Sequence, residues 1–100
     1  MDFGTWLAKQ RMRAGVTQRD LARRCGLSPA HVANLERNTS EPPPLRTCKT
    51  LARALGIDPE EIWQRSFAAR LKRWLRREGY SGLAEADLLE LIAKIKTVAR

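Results

Sequence analysis

The side chains best suited to catalysis or metal binding are few and widely separated in this sequence. The chain has one histidine, His31, and two cysteines, Cys25 and Cys48. The cysteines lack the short paired spacing of zinc sites, and a four-ligand metal site would need carboxylates or a second subunit. No serine or cysteine nucleophile is placed beside His31, and there is no glycine-rich phosphate loop. We therefore expect no enzyme activity, no metal and no cofactor.

The two thiols have different expected roles. Cys48 lies on an apolar helix face and is predicted to be a small core residue. Cys25 precedes a turn glycine, so it is expected to be partly exposed, and a redox switch there is the alternative to an inert thiol. Reduced thiols are expected for both.

Charge is the clearest functional signal in the composition. Lys and Arg total 19 against 11 Asp and Glu, which gives a net charge of +8 and a pI near 10.5. This excess favours a polyanionic partner, with nucleic acid first and an acidic membrane surface second, although a solvated positive surface fits the charge almost as well. No signal peptide and no apolar run of membrane-spanning length can be recognised, so we expect a cytoplasmic protein that does not bind membranes.

Capping and breaking residues divide the chain into seven predicted helices. Ser28-Pro29 and Asp58-Pro59 are start signals, because a side-chain cap precedes a proline at a position where no N–H is needed. Glycines close four helices in the left-handed conformation, at Gly15, Gly26, Gly56 and Gly79. The predicted helices cover residues 3–13, 18–25, 29–37 and 45–55, a fifth from residue 59, a sixth from residue 66 to Gly79, and a seventh over 84–98.

Apolar residues at helical spacing predict the core of this all-α fold. In the first five helices they are Phe3, Trp6, Leu7 and Met12, then Leu21 and Ala22, Val32 and Leu35, Leu51, Ala52 and Leu55, and finally Ile62 and Trp63. One hundred residues suffice for a single compact core but not for two independent ones.

The short second helix, the turn at Gly26 and the capped third helix form a helix-turn-helix arrangement. Such a turn holds one helix across the phosphate backbone while the next lies in the major groove, which is wide enough for an α-helix. Together with the positive charge, this arrangement predicts double-stranded DNA as the partner.

A longer pattern surrounds this arrangement. It consists of the run Thr17-Gln18-Arg19-Asp20-Leu21-Ala22-Arg23-Arg24-Cys25-Gly26-Leu27-Ser28, followed by Val32, Leu35-Glu36-Arg37, Pro43 and Leu51-Ala52-Arg53-Ala54-Leu55-Gly56. The pattern resembles the Cro/C1-type helix-turn-helix family, which includes lambdoid phage repressors, restriction-modification controller proteins and many antitoxins. The resemblance covers about residues 3–65. It implies a five-helix, lambda-repressor-like domain, followed here by two C-terminal helices, and a bacterial or phage regulator of transcription.

The resemblance also implies roles for individual residues. Thr17 and Gln18 match positions that hold phosphate at the start of the second helix. Asn34 matches a groove-facing position and is able to pair bidentately with a base, most naturally adenine. The implied DNA contacts are Thr17, Gln18, the cap Ser28, the groove-facing Pro29, Ala30, Ala33 and Asn34, the backbone neighbour His31, and Arg37, Asn38 and Thr39 at the helix exit.

Arg11 and Glu36 match a charge pair that ties the first helix to the third in this family.

Two features depart from the family pattern. Asn38 stands where glycine is usual, although asparagine is the next best residue for that backbone. The segment Ser40-Glu41-Pro42-Pro43-Pro44 replaces a loop that usually carries basic or hydroxyl residues, so loop contacts to DNA are not carried over.

Residues 66–100 lie outside the resemblance and are expected to form a second unit after a DNA-binding domain of residues 1–65. Their apolar residues need a cover, and we expect a homodimer, since such DNA readers usually recognise two half-sites. The predicted dimerisation residues are Phe67, Leu71, Trp74, Leu88, Leu91, Ile92 and Ile95, with Val98 on the same face.

Two alternatives to dimerisation remain open for this C-terminal unit. In the first alternative, residues 66–100 fold back onto their own domain. In the second, they bind a different protein, as in an antitoxin that neutralises a partner protein and binds DNA to regulate its own expression. The basic residues from Arg65 to Arg77 either extend the DNA footprint or form the solvated side of a helix.

Overall fold

Helices make up all the regular secondary structure in the part of the chain that the computed structural model describes, residues 1–99 for the backbone and 1–96 for the side chains. The helices are α1 (Phe3–Arg13), α2 (Gln18–Cys25), α3 (Pro29–Glu36), α4 (Leu45–Leu55), α5 (Pro59–Arg77) and α6 (Glu85–Ala99). The expected all-α fold is confirmed. The side chain of Val98 lies outside the described side chains. No helix in the described range is long and apolar enough to cross a bilayer.

Local capping explains why α2 and α3 begin and end where they do. The Thr17 hydroxyl accepts a hydrogen bond from the Asp20 amide, and the Ser28 hydroxyl accepts one from the His31 amide, both at 3.0 Å. Gly26 joins the two helices with a φ of 67°, in the left-handed region that side chains disfavour. These three residues set the angle of the helix-turn-helix.

The core lies among α1 to α5. Its buried members are Phe3, Trp6, Leu7, Val16, Leu21, Ala22, Val32, Leu35, Cys48, Leu51, Ala52, Leu55, Ile62 and Ala69. The placement of Met12 in the core was wrong, because its side chain is 60% exposed. Met12 follows Leu7 by five residues, which is about 140° round the helix from the buried face.

The predicted separation of a fifth helix from a sixth near residue 65 was also wrong. The fifth and sixth predicted helices are one helix of 19 residues, α5, and the expected boundary between two units falls inside it. No glycine or proline stands between Pro59 and Gly79. The apolar pattern changes because α5 packs against both α4 and α6, so the residues that it buries, such as Ile62 and Ala68, do not follow one continuous stripe.

α6 runs back antiparallel to α5. Lys96 near its end pairs with Glu60 at the start of α5. At its other end, the Glu85 carboxylate is buried and accepts a hydrogen bond from the Phe3 amide at 3.1 Å. Leu88 is also buried. The C-terminal segment is therefore attached to the first helix of its own chain.

α5 also holds the loop that follows α3. The Ser66 hydroxyl donates to the Pro43 carbonyl at 2.6 Å, and Arg70 donates to the Pro42 carbonyl at 2.8 Å. Arg73 reaches the carbonyl of Asn38 at 3.4 Å. Through these bonds the long helix fixes the chain immediately beyond α3.

Candidate nucleic-acid interface

α3 is anchored on one side and open on the other. Val32 and Leu35 are buried in the core. The outer side carries exposed Pro29, Ala30, His31 and Arg37, with half-buried Ala33 and Asn34. An α-helix presented in this way fits the width of the major groove. Its eight residues extend over about 12 Å, which limits direct base contacts to a few base pairs.

The start of α2 offers backbone donors beside this surface. The amides of Gln18 and Arg19 belong to the first turn, where no acceptor exists within the helix. Thr17 is exposed, and its hydroxyl caps the Asp20 amide. Free first-turn amides and the helix dipole favour an anion, so this end of α2 is suited to a backbone phosphate.

An ion pair connects α1 with α3. Arg11 binds Glu36 through two hydrogen bonds, Nε to Oε2 at 2.6 Å and Nη2 to Oε1 at 3.1 Å. The Arg11 guanidinium also donates to the Val16 carbonyl at 2.9 Å. Gln18 donates from Nε2 to Glu36 Oε1 at 2.9 Å, which ties α2 to the same carboxylate. Gln18 thus keeps its carbonyl oxygen and one N–H for contacts outside the protein.

Asn34 is positioned by its neighbours at the end of α3. Its Oδ1 accepts from Arg37 Nη2 at 3.0 Å, and the Thr39 hydroxyl lies 3.3 Å from both Oδ1 and the Asn34 carbonyl oxygen. When Thr39 donates to the carbonyl, one lone pair of Oδ1 and the whole amide NH₂ remain available. That is the donor and acceptor pair that adenine requires in the major groove.

Asn38 and Thr39 are more occupied than the sequence suggests. Their backbone amides donate to Leu35 and Asn34 and so close the end of α3. Asn38 has a φ of 60°, and its Oδ1 accepts from the Gly4 amide at 2.9 Å. Any phosphate contact at the helix exit is thereby restricted to the Asn38 N–H that does not bind Asp2, the Thr39 hydroxyl and Arg37.

Gly4 is a structural residue that the sequence reasoning missed. A Cβ atom at this position would lie 2.4 Å from the Glu36 carbonyl oxygen, closer than real Cβ contacts. The start of α1 therefore approaches the end of α3 more closely than any side chain allows. The available signal was a glycine inside a predicted helix, where glycine is disfavoured unless packing requires it.

Most of the basic residues of α5 bind the protein itself. The Arg65 guanidinium lies 4.8 Å from the centre of the Trp6 ring. Arg73 and Arg77 both approach the Glu41 carboxylate, at 3.3 and 4.0 Å. These contacts and that of Arg70 favour an internal role for Arg65, Arg70 and Arg73, whereas Arg77 is 64% exposed and the extension of the DNA footprint stays an open alternative.

The predicted dimerisation residues divide into three groups. Leu88 is 4% exposed and packed within its own chain, so it offers almost no surface to a second copy. Leu71 and Ile92 are half-buried. Phe67, Trp74, Leu91 and Ile95 are between 43% and 59% exposed. The segment folds back onto its own domain and still leaves apolar residues uncovered.

The cysteines are unlike reactive thiols. Cys48 is buried and donates to the Pro43 carbonyl at 3.4 Å, and Cys25 is half-buried with its sulfur 3.9 Å from the Thr50 carbonyl. Burial raises the pKa of both thiols, which lowers the thiolate fraction at neutral pH. These surroundings disfavour a redox switch at Cys25.

The geometry of α2, the Gly26 turn and α3 is that of a helix-turn-helix DNA-binding protein. Comparison with known families matches residues 7–62, more than half of the chain, to the helix-turn-helix family. The chain belongs to this Cro/C1-type family of DNA-binding regulators. No curated protein matches the chain.

Proposed function

We propose that this chain is a homodimeric transcriptional repressor that reads a palindromic operator through α3 in the major groove. The observation that supports this proposal most directly is the presentation of α3, held from behind by Val32 and Leu35 with Asn34 oriented toward the outer side. Phosphate contacts come from the first-turn amides of α2 and from Arg37. Blocking access to a promoter requires no further chemistry from the chain.

The composition of α3 is the reason for proposing two copies. The other groove-facing residues, Pro29, Ala30 and Ala33, are apolar, and apolar side chains distinguish bases only through contacts such as the thymine methyl group. His31 is expected beside the phosphate backbone. One copy therefore obtains little discrimination from a single half-site. A dimer doubles the base contacts over two half-sites related by its own twofold axis.

The exposed apolar residues of α5 and α6 supply a surface for the second copy. Each of three exposed residues comes three positions after a more buried one: Trp74 after Leu71, Leu91 after Leu88, and Ile95 after Ile92. A step of three residues rotates the side-chain direction by the same angle about each helix axis. Because α5 and α6 are antiparallel, this rotation moves the side chains of both helices toward the same side of the pair. We call this side the C-terminal face, formed by Phe67, Trp74, Leu91 and Ile95.

Selection from a random duplex DNA library at fixed salt, followed by sequencing, tests the proposal. We expect enrichment of an inverted repeat whose half-sites are about one helical turn, roughly 34–36 Å, apart. Selection with Asn34→Ala should keep the spacing and lose the preference at one position of each half-site. Affinity for the selected site should fall steeply with salt, as counterions are released from the phosphates.

Two results would contradict the proposal. Enrichment of a single, unrepeated half-site would exclude the dimeric reader. Absence of enrichment by protein that is folded by circular dichroism would exclude sequence-specific reading, and the C-terminal face would then be assigned to a protein partner, as in the antitoxin-type alternative.

A further inference from the structure

A pocket of about 200 Å³ lies between the helix-turn-helix and the C-terminal helices. Its walls come from the start of α1, the end of α3 and the loop after it, the C-terminal half of α5 and the first residue of α6. This volume exceeds what a single water molecule needs, so it suits a small molecule. The pocket is separate from the outer side of α3.

Three hydrogen-bond donors without partners line this pocket. The Ser40 hydroxyl is buried and has no hydrogen-bond partner. Lys72 and Arg76 lie four residues apart on one face of α5, and their side chains make no hydrogen bond or ion pair with the described residues. By contrast, Arg73 beside them is bound to Asn38 and Glu41.

The pocket also contains two carboxylates, but each already accepts a backbone hydrogen bond. Asp2 caps the Thr5 amide at 3.0 Å, and Glu85 accepts from the Phe3 amide at 3.1 Å. Each carboxylate keeps further acceptor sites, and the charge of Lys72 already acts on Glu85. The donors that still lack a hydrogen-bond partner lie on the α5 and loop side, and they favour an acceptor with negative charge. A buried donor left without an acceptor is unfavourable, and a bound anion would satisfy it.

From these donors we infer that the pocket binds a small anion with carboxylate or phosphate oxygens, held by Lys72, Arg76 and the Ser40 hydroxyl. A small anion fits better than the backbone of DNA. A nucleic acid strand would carry further negative charges past Asp2 and Glu85, whereas a small molecule places its charge only on the α5 side.

The site is placed to influence α3. Asn38 and Ser40 belong to the loop directly after this helix, and both line the pocket. An anion bound there adds contacts to the loop, so DNA affinity and anion affinity should depend on each other reciprocally. This regulatory role depends on the proposed function, whereas the binding of the anion does not.

Thermal unfolding of the full chain with inorganic phosphate or with succinate, at ionic strength held constant by sodium chloride, tests the site. The pocket variant is Lys72→Gln with Arg76→Gln. A matched control is Lys49→Gln with Arg53→Gln, which removes two exposed cations of the same spacing from α4. We expect a saturable rise in melting temperature for the wild type and the control, its loss in the pocket variant, and a smaller rise for Ser40→Ala.

A response to phosphate alone or to succinate alone identifies the ligand as a phosphate or a carboxylate. A rise of equal size in all variants, or no saturable rise with either anion, overturns the proposed site. So does a pocket variant that binds operator DNA more weakly than the control while its anion response is unchanged, because its cations then belong to the DNA interface. An unchanged operator Kd at saturating anion overturns the regulatory role and leaves the proposed function intact.

Discussion

Glu36 joins three helices at one carboxylate. It lies on α3 and accepts hydrogen bonds from Arg11 of α1 and Gln18 of α2. The side chains of Arg11 and Glu36 are only 15% and 6% exposed, so each desolvated charge depends on the other. This residue, which makes no proposed contact with DNA, keeps the recognition helix aligned with the helix that crosses the backbone.

Replacing Glu36 by alanine should destabilise the domain strongly. The substitution leaves the Arg11 charge partly buried without its partner, and such losses cost about 3–5 kcal/mol. Urea unfolding followed by circular dichroism measures the change in free energy. Asp20→Ala is the control, because the Asp20–Arg23 pair is exposed and its loss should cost less than about 1 kcal/mol. Equal losses of unfolding free energy for the two substitutions would show that the buried pair stabilises the domain no more than the exposed pair does.

Gly4 provides a second prediction, in which the sign of the effect is decisive. At an open helical position, glycine to alanine stabilises a protein by about 0.5–1 kcal/mol. At Gly4 the new Cβ would collide with the backbone of Leu35 and Glu36, at 2.6 and 2.4 Å. We therefore expect Gly4→Ala to lower stability by about 1–3 kcal/mol, as overpacking does. A higher melting temperature for this variant would mean that α1 and α3 are not in such close contact.

The roles of residues that act on near neighbours in the sequence could be predicted. The roles of residues that depend on contact between distant segments could not. The caps Thr17 and Ser28 act on amides three residues away, so their pattern is visible in the sequence. Asn38 was expected as the next best residue to glycine for its backbone, but its bond to Gly4 joins residues 34 positions apart. No local preference encodes that contact, which explains why Gly4 was missed.

At the scale of elements, the sequence predicted where helices end but not which of them are continuous. The ends at Gly15, Gly26 and Gly56 follow from the left-handed backbone that glycine adopts easily. The false break in α5 came from a change in apolar pattern, and that pattern depends on tertiary partners. α5 packs against α4 and also against α6, whose Lys96 pairs with Glu60 at the start of α5, so its buried positions do not follow one apolar stripe although the helix is unbroken.

The junction between α6 and α1 depends on a carboxylate with an unusual proton affinity. Burial raises the pKa of Glu85 above its ordinary value of 4.5, although the Phe3 amide and the charge of Lys72 oppose this. The folded protein therefore holds this proton more tightly than the unfolded chain does. Stability contributed by protonated Glu85 is present below pH 4.5 and is lost as the pH rises through the folded-state pKa.

Glu85→Gln should remove this contribution to the pH dependence. Glutamine keeps an oxygen for the Phe3 amide but cannot ionise. At pH values above the pKa of Glu85 in the folded protein, the variant should therefore be as stable as the wild type or more stable. Unfolding free energies measured by urea at several pH values test this. If the unfolding free energies of the variant and the wild type change in parallel with pH, Glu85 does not contribute to the pH dependence of stability.

Asp2→Asn provides a comparison of opposite sign at the same junction. Partial burial by itself would raise the pKa of Asp2, but hydrogen bonds from Thr5 and Asn38 outweigh it and hold the pKa below the ordinary 3.8. Stability from ionised Asp2 is present above that value and is lost as the pH falls. Its removal should therefore flatten the acid limb of the profile, whereas Glu85→Gln changes the limb above pH 4.5.

At the scale of the whole molecule, the exposed apolar residues of α5 and α6 form a surface different from the helix-turn-helix. Part of the +8 charge is used internally, where Arg65, Arg70 and Arg73 bind an aromatic ring and the loop. Exposed arginines such as Arg19, Arg24 and Arg37 remain near α2 and α3. The C-terminal face carries the uncovered apolar residues instead. This separation allows one surface to meet DNA while the other meets a second copy.

Trp74→Glu should therefore separate dimerisation from folding. Trp74 is 49% exposed, so a charge there is tolerated in the monomer but is strongly disfavoured inside an apolar interface. Sedimentation equilibrium should show monomers for this variant at concentrations where the wild type is dimeric, with helix content unchanged. Met12→Glu is the matched control, since Met12 is 60% exposed on α1, away from the C-terminal face.

The same variant should change how DNA is read. A monomer keeps all of α2 and α3, so its affinity for a single half-site should equal that of the wild type. It loses the gain from two linked half-sites, and its affinity for the inverted repeat should fall by at least about 100-fold, as expected when a second contact is no longer intramolecular. A dimeric Trp74→Glu protein would place the dimer contact elsewhere on the molecule. Equal loss of affinity for the half-site and for the repeat would mean that the C-terminal face itself supports the helix-turn-helix.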